Sequence, residues 1–155
     1  MIEIVAVAVK HADIVYRLND MTTLNETILI DRPAREVFQY VSDFATCVEW
    51  DATAIETERL DDQPVGVGTR YKVVCEAPFG NLPLEYEIVE FEPDHKVVLI
   101  GRGRFFEVED TILVTPTDTG CELDYTAVFT WKPWLQRFAA AMEPGLKRMG
   151  RASVQ

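Results

Sequence analysis

The side chains best suited to acid–base chemistry stand on segments in which apolar and polar residues alternate. Glu90 shares the parity of Tyr86, and Asp110 shares the parity of Val108. Since successive side chains of a strand point to opposite faces, both acids are predicted to lie on the apolar face. A buried carboxyl group must be paired or neutral, which suits a general acid or base. Glu90, Asp110 and Tyr86 are therefore candidate catalytic residues, with a position at the rim as the alternative for Glu90.

Candidate ligand contacts follow from the same alternation. Tyr71, Tyr86 and Tyr125 fall in phase with the apolar residues of their segments, so their rings are predicted to point inward. Their hydroxyl groups could meet a ligand or be satisfied within the core. Arg102 could clamp a ligand carboxylate or pair with Asp110, and the alternative is a surface ion pair with a nearby acid. The remaining candidate ligand-binding residues are Trp50, Phe129 and Phe138.

Metal and thiol chemistry have little support in the sequence. The two histidines, His11 and His95, are far apart and belong to no ligand motif, so neither a metal site nor a cofactor is expected. The three cysteines, Cys47, Cys75 and Cys121, lie far from one another without a CxxC motif. We interpret them as reduced, buried thiols of a cytoplasmic protein.

The charge balance excludes one large class of partners. The chain has 155 residues, of which 15 are Lys or Arg and 26 are Asp or Glu, giving a formal net charge of −11. Such an excess of acids opposes binding to nucleic acid and to anionic lipid surfaces. The length and the 48% of hydrophobic residues are typical of one domain with a substantial core.

Periodicity places the elements in order along the chain. Thr22–Ile30 is predicted as a strand, Ala34–Phe44 as a helix that begins after Pro33, and Thr46–Trp50 as a short second helix. Five strands of an antiparallel sheet are then predicted, at Thr69–Ala77, Leu84–Glu90, Lys96–Gly101, Phe105–Thr115 and Cys121–Trp131. A long helix is predicted from Trp134, with a break at Pro144-Gly145.

The first twenty residues begin with a short apolar run that is considered separately from the rest of the chain. Residues 2–9 are apolar apart from Glu3, but this run is far shorter than the roughly 20 residues that cross a bilayer. It is interpreted as a short strand or as a segment outside the main fold. We therefore divide the chain into an N-terminal extension, residues 1–20, and a single domain, residues 21–155.

The predicted order is an α+β layout in which the helices lie on one side of the sheet, leaving room for an apolar pocket. Four segments, Ile28–Trp50, Gly66–Tyr71, Tyr86–Val97 and Thr117–Tyr125, resemble the START-like SRPBCC superfamily, and within it the polyketide cyclase/dehydrase-like branch. The resemblance covers about residues 22 to 155. It implies a helix-grip fold, in which a curved antiparallel sheet with two short helices after its first strand wraps around a long C-terminal helix.

Two classes of function follow from this resemblance, which implies a cavity for hydrophobic small molecules. The protein is expected to bind a hydrophobic or aromatic molecule, lipid-like or polyketide-like, as a carrier or sequestering protein. The alternative is a cofactor-independent cyclase, aromatase or dehydratase that uses the acid–base residues of the cavity. A third possibility is a regulatory partner that senses the ligand. We expect a monomer or homodimer without integral membrane association.

Overall fold

The computed structural model describes residues 6–16, 21–78 and 80–135. Eight strands and two short α-helices make up most of this part of the chain. Their bounds are β1 Ala6–Tyr16, β2 Met21–Ile30, α1 Ala34–Ser42, α2 Cys47–Trp50, β3 Ala54–Arg59, β4 Arg70–Ala77, β5 Gly80–Glu92, β6 Lys96–Arg102, β7 Phe106–Pro116 and β8 Cys121–Trp131. Two 3-10 helices, Phe44–Thr46 and Pro133–Leu135, complete the list.

All eight strands form one antiparallel sheet in the order β1-β2-β8-β7-β6-β5-β4-β3. Strand β2 crosses to β8, while β3 to β8 follow one another in chain order. Of the two interpretations of the apolar run near the start of the chain, a short strand or a segment outside the main fold, the strand is the one observed: β1 extends to Tyr16 and pairs with β2 along its length. We still predict that residues 21–155 fold without it.

The alternation of the sequence produces a sheet with one buried face. In β4, Tyr71, Val73 and Cys75 are buried, whereas Arg70 and Lys72 are exposed. The strands predicted from this alternation are all present, with ends shifted by a few residues. The edge strand β3 was not predicted, because an exposed edge strand with four polar residues in six lacks a clear apolar face.

The helical segment after β2 covers part of the buried face. Helix α1 begins after Pro33 and packs Val37, Phe38 and Val41 into the core. It ends at Ser42, and the carboxylate of the next residue, Asp43, accepts a hydrogen bond from the amide of Ala45 and so caps the 3-10 helix that follows. The two short helices predicted after the first strand of the domain are therefore confirmed.

The end of the described chain is the 3-10 helix Pro133–Leu135, which follows β8 directly. Trp134 and Leu135, the first two residues of the predicted long C-terminal helix, belong to this 3-10 helix. The rest of that prediction, including Phe138 and the break at Pro144-Gly145, lies outside the described residues. Among the helices that are described, none has the length and apolar content to span a bilayer.

Candidate functional site

A buried carboxyl group marks the centre of the inward face. Asp110 lies in the middle of β7 and is only 1% exposed, so its predicted inward position is confirmed. The Tyr125 hydroxyl, from the neighbouring strand β8, donates a hydrogen bond of 2.8 Å to Asp110 Oδ1. The Tyr86 hydroxyl approaches the same carboxyl group from β5. Side chains from three strands thus meet at one point.

The sheet brings Tyr86 to Asp110 through a glycine on the strand between them. Gly101 of β6 pairs with Tyr86 on one side and with Val108 on the other. A Cβ atom at Gly101 would lie 2.6 Å from Cε1 and Cζ of Tyr86 and 2.8 Å from a methyl group of Val108. Only the absence of a side chain at Gly101 therefore allows the Tyr86 ring to extend across β6 towards β7.

Burial changes the acid–base properties of this cluster. Removal from water raises the pKa of Asp110 to about 7, and the two tyrosine hydroxyls, which favour the charged form, oppose that rise. The negative charges of Asp51 and Glu109 act in the same direction as burial. Burial and the nearby Asp110 also raise the pKa values of Tyr86 and Tyr125 well above their usual range. Asp110 can therefore exchange a proton near neutral pH while both tyrosines stay protonated.

Two aromatic residues of β8 connect this cluster with solvent. Tyr125 and Phe129 lie on the inward face and are partly exposed, whereas Ala127 between them is buried. The Phe129 ring packs edge-on against Phe106 with 5.2 Å between the centroids. An accessible aromatic surface thus lies beside the buried Asp110, which is the usual composition of a small-molecule site.

A second buried acid lies across from Tyr125. Glu26 of β2 pairs directly with Tyr125 and is 8% exposed. Sequence reasoning missed it, although its parity with Leu24 and Ile28, both buried, gave the signal. Among residues 21–78 and 80–135, the buried charged residues are Glu26 and Asp110.

The thiols near the cluster are poor nucleophiles. All three cysteines are free and buried, as the spacing predicted. Burial raises the pKa of Cys75 to about 12 and that of Cys47 well above its usual value, with the acids Asp51 and Asp110 adding to the rise. Since the thiolate is the reactive form, neither residue is suited to nucleophilic catalysis at neutral pH. Within the described ranges, no group of three or more metal-ligating side chains comes together.

Two further candidates surround Phe44 in the core. Tyr71 is fully buried, and its ring centroid lies 6.0 Å from that of Phe44. Trp50 packs edge-on against Phe44 at 5.7 Å, and its indole nitrogen donates to the hydroxyl of Thr46 at 3.0 Å. Phe44 also contacts Tyr86 at 5.0 Å. Phe44 is therefore the ring that links Tyr86 to both candidates.

Glu90 does not occupy the inward position that parity predicts. A bulge interrupts β5 between Ile88 and Glu90, so Phe91 takes the inward position and packs on Phe38. Glu90 is 46% exposed and forms a 2.8 Å ion pair with Lys96. The structure therefore separates Glu90 from the Asp110 cluster.

Arg102 is also placed differently from the expected pocket mouth. Its side chain is 54% exposed and contacts Glu87 and Glu107 on the outer face of the sheet, at 3.7 and 3.4 Å. Of the alternatives left open by the sequence, the surface ion pair with nearby acids is the one present, and Arg102 does not pair with Asp110. Arg102 follows the inward Gly101 directly, so the pleat turns it to the outer face.

Comparison with known proteins gives a family for most of the chain. Residues 21–155 match the family described as polyketide cyclase / dehydrase and lipid transport. No protein of curated function matches the chain significantly.

Several solved structures share the fold at low sequence identity. The aromatase/cyclase ZhuI from Streptomyces sp. R1128 is 13% identical, with a TM-score of 0.69 and coverage of 86% of this chain and 89% of that one. The di-domain aromatase/cyclase BexL of the BE-7585A biosynthetic pathway is 16% identical, with a TM-score of 0.65 and coverage of 86% and 47%. Protein Ms6760 from Mycobacterium smegmatis is 16% identical, with a TM-score of 0.63 and coverage of 94% and 92%.

Proposed function

The chain belongs to the polyketide cyclase / dehydrase and lipid transport family, and we propose that it binds a hydrophobic or aromatic small molecule against the inward face of its sheet, as a carrier or sequestering protein. The observation that carries this proposal is the buried Asp110 beside the accessible rings of Tyr125 and Phe129. The rings supply apolar contact area, and the carboxyl and hydroxyl groups supply a polar point that fixes orientation.

The ligand chemistry follows from the groups at this point. The Tyr125 hydroxyl and the Asp110 carboxyl, in either protonation state, can exchange hydrogen bonds with a carbonyl or hydroxyl group of a ligand. The Asp110 carboxylate, together with the negative charges of Asp51 and Glu109 that act on it, disfavours a ligand anion at this point. A neutral oxygenated molecule with aromatic or polyketide-like character fits these groups best.

The direct test is to identify what the protein carries. Native mass spectrometry of protein purified from its own host should detect a co-purifying small molecule, which denaturation should release chemically unchanged. Binding of that molecule, or of an apolar fluorescent dye, should weaken at least tenfold in Phe129→Ala and be unchanged in Arg102→Gln, because Arg102 lies on the outer face. Equal binding by the two variants would contradict the proposed location, and a failure of ligand and dye to bind at all would contradict the function.

A cyclase or dehydratase activity is the second candidate, and the pKa of Asp110 near 7 favours it. The Asp110 carboxylate could remove a proton from a methylene between two carbonyl groups. The resulting enolate carbon would then form a carbon–carbon bond to the carbon of another carbonyl group of the substrate, whose C=O π bond breaks. The oxygen of that carbonyl would take back the proton that Asp110 removed, and later loss of this hydroxyl group with a neighbouring hydrogen, as water, would yield the double bond. Tyr125 is placed to stabilise the developing negative charge.

The two candidates are separated by a poly-β-keto substrate mimic. Conversion to a cyclised product should fall at least a hundredfold in Asp110→Asn if the carboxyl group moves the proton. Glu90→Gln is the matched control, since it makes the same carboxyl-to-amide change outside the cluster and should leave the rate unchanged. If wild-type protein binds the mimic and returns it unchanged, the carrier function stands and the enzyme is rejected.

A further inference from the structure

Phe44 is a buried ring in the 3-10 helix between α1 and α2, and it contacts three other aromatic rings. The ring centroids of Tyr86, Trp50 and Tyr71 lie 5.0, 5.7 and 6.0 Å from that of Phe44. The contact with Tyr86 is edge-on, which is a favourable arrangement of two aromatic rings. Since Phe44 has no polar side-chain atom, its contact with Tyr86 is what connects it to the Asp110 cluster.

The orientation of the Tyr86 ring decides whether its hydroxyl group reaches Asp110. Tyr86 and Asp110 belong to β5 and β7, which are separated in the sheet by β6. The ring crosses β6 at Gly101, where the absence of a side chain leaves space for it. Open space permits this orientation but does not hold the ring in it. A second contact must therefore restrain the ring, and Phe44 makes such a contact.

The backbone of Phe44 is itself anchored from the far edge of the sheet. The Thr57 hydroxyl, on the edge strand β3, donates a hydrogen bond of 2.8 Å to the Phe44 carbonyl oxygen. The Tyr71 hydroxyl, on β4, hydrogen-bonds with the Phe44 backbone and with the Asp43 carboxyl group. Asp43 in turn accepts from the amide of Ala45. The position of the Phe44 ring is thus set by residues of β3 and β4.

We propose that Phe44 is a positioning residue of the ligand site: its ring holds Tyr86 in the orientation in which the hydroxyl group meets Asp110, and Thr57 fixes Phe44 from the edge strand. The inference rests on the proposed function, because it takes the Asp110 cluster as the point where the ligand binds. Thr57 acts on this cluster although three strands separate β3 from β7.

The proton affinity of Asp110 reports whether the Tyr86 hydroxyl is in place. The hydrogen bond from Tyr86 favours the charged form of Asp110 and so lowers its pKa. Thr57→Val keeps the branched shape of the side chain but removes the hydroxyl group, so Phe44 loses its anchor and the Tyr86 bond should weaken. We expect carbon-13 NMR titration to show a rise of about 0.5–1 in the pKa of Asp110, part of the roughly 1–2 that a whole bond to a charged group represents.

Thr27→Val is the matched control. The Thr27 hydroxyl makes a bond of similar length, 2.9 Å, to Asp124 on the outer face of the sheet. Its loss should leave the pKa of Asp110 unchanged. Repeating Thr57→Val in a Tyr86→Phe background separates positioning from a general loss of stability. Tyr86→Phe keeps the ring without the hydroxyl group and should itself raise the pKa, so Thr57→Val should cause no further rise there.

Two results would overturn the inference through the pKa of Asp110 in Thr57→Val. An unchanged pKa, whatever the change in Tm, would show that Thr57 only stabilises the fold. A lower pKa would show that the substitution displaces Asp51, whose negative charge raises the pKa, instead of Tyr86. An equal rise with and without the Tyr86 hydroxyl would also contradict the proposal, because the effect would then not pass through Tyr86.

These titrations require no ligand, so they are independent of the binding experiments. If neither ligand nor dye binds the wild-type protein, the proposed function is rejected, while the titrations still decide whether Phe44 and Thr57 position Tyr86. If ligand binds and the pKa of Asp110 does not respond to Thr57→Val, the function stands and the positioning role is rejected.

Discussion

Carboxyl groups on the two faces of the same strands meet opposite surroundings. On the outer face, Glu85 pairs with Arg70 and Glu107 pairs with Arg102, and these side chains are half exposed. On the inner face, Asp110 is removed from water and contacts tyrosine hydroxyls. Glu107 and Asp110 belong to one strand, three residues apart.

The difference shows that the face of the strand, and not the residue type, decides what a carboxyl group can do. An exposed ion pair is screened by water and contributes little to stability or chemistry. A buried carboxyl group without a cationic partner keeps its proton to a higher pH, because the charged form has lost its hydration. The predictions below compare the two faces, beginning with the largest expected effect.

Asp110 should make the free energy of unfolding depend on pH. Its pKa of about 7 in the folded protein lies above the usual 3.9 or so of an unfolded chain, so the folded state binds more protons between these values. Stability should therefore fall as pH rises from about 4 to about 7, by on the order of 4 kcal/mol, and level off above. Urea denaturation measures the free energy of unfolding across this pH range. In Asp110→Asn this free energy should change less with pH than in the wild-type protein. Glu90→Gln, on the outer face, should keep the wild-type profile, and an unchanged profile in Asp110→Asn would contradict the assignment.

Gly101→Ala should disrupt the inner face by overfilling it. The new methyl group would meet the Tyr86 ring at 2.6 Å and force it away from Asp110. We expect a loss of about 1–3 kcal/mol of unfolding free energy, measured by chemical denaturation. Gly66→Ala is the control, since its nearest atom would be 4.0 Å away. Equal effects of the two changes would show that crowding at Tyr86 is unimportant.

Tyr125→Phe should remove the hydrogen bond to Asp110 and cost about 1–2 kcal/mol at pH 8, where Asp110 is charged. Because this bond favours the charged form, its loss should raise the pKa of Asp110 further above 7. The carbon-13 NMR titration of the Asp110 carboxyl group measures that change. Tyr40→Phe removes an exposed hydrogen bond and should leave the titration as it is. A lower pKa in Tyr125→Phe would contradict the proposed donor.

Arg102→Gln should have the smallest effect. It breaks two exposed ion pairs on the outer face, so we expect a loss of at most about 1 kcal/mol. The loss should disappear at about 1 M salt, where exposed charges are screened within about 3 Å. Chemical denaturation at low salt and at about 1 M salt measures the loss of unfolding free energy under the two conditions. A larger loss that persists in high salt would show that Arg102 contributes more than exposed pairing.

Much of the inner face could be predicted from the sequence. The alternation of apolar and polar residues along the strands correctly predicts that four side chains face inward, because their strands are regular around them. These residues are Tyr71, Tyr86, Tyr125 and Asp110. The same reasoning failed for Glu90, since a single bulge residue reverses parity and leaves no clear mark in the sequence. The proposed role of Gly101 required the strand register, because nothing near it in sequence shows that Tyr86 lies alongside.

The sequence by itself determined the order of the short helices and of the strands from β2 to β8 other than β3, and which positions of each regular strand face inward. These features depend on side-chain periodicity and local turn chemistry, which act over a few residues. The family followed from the resemblance of sequence motifs. The tertiary structure alone decided that Asp110, Tyr86 and Tyr125 meet, that Arg102 pairs outward, and that Arg59 lies beside Tyr71. Such meetings depend on strand register between residues far apart in the chain, and the burial that raises the pKa of Asp110 exists only once the sheet and helices have packed together.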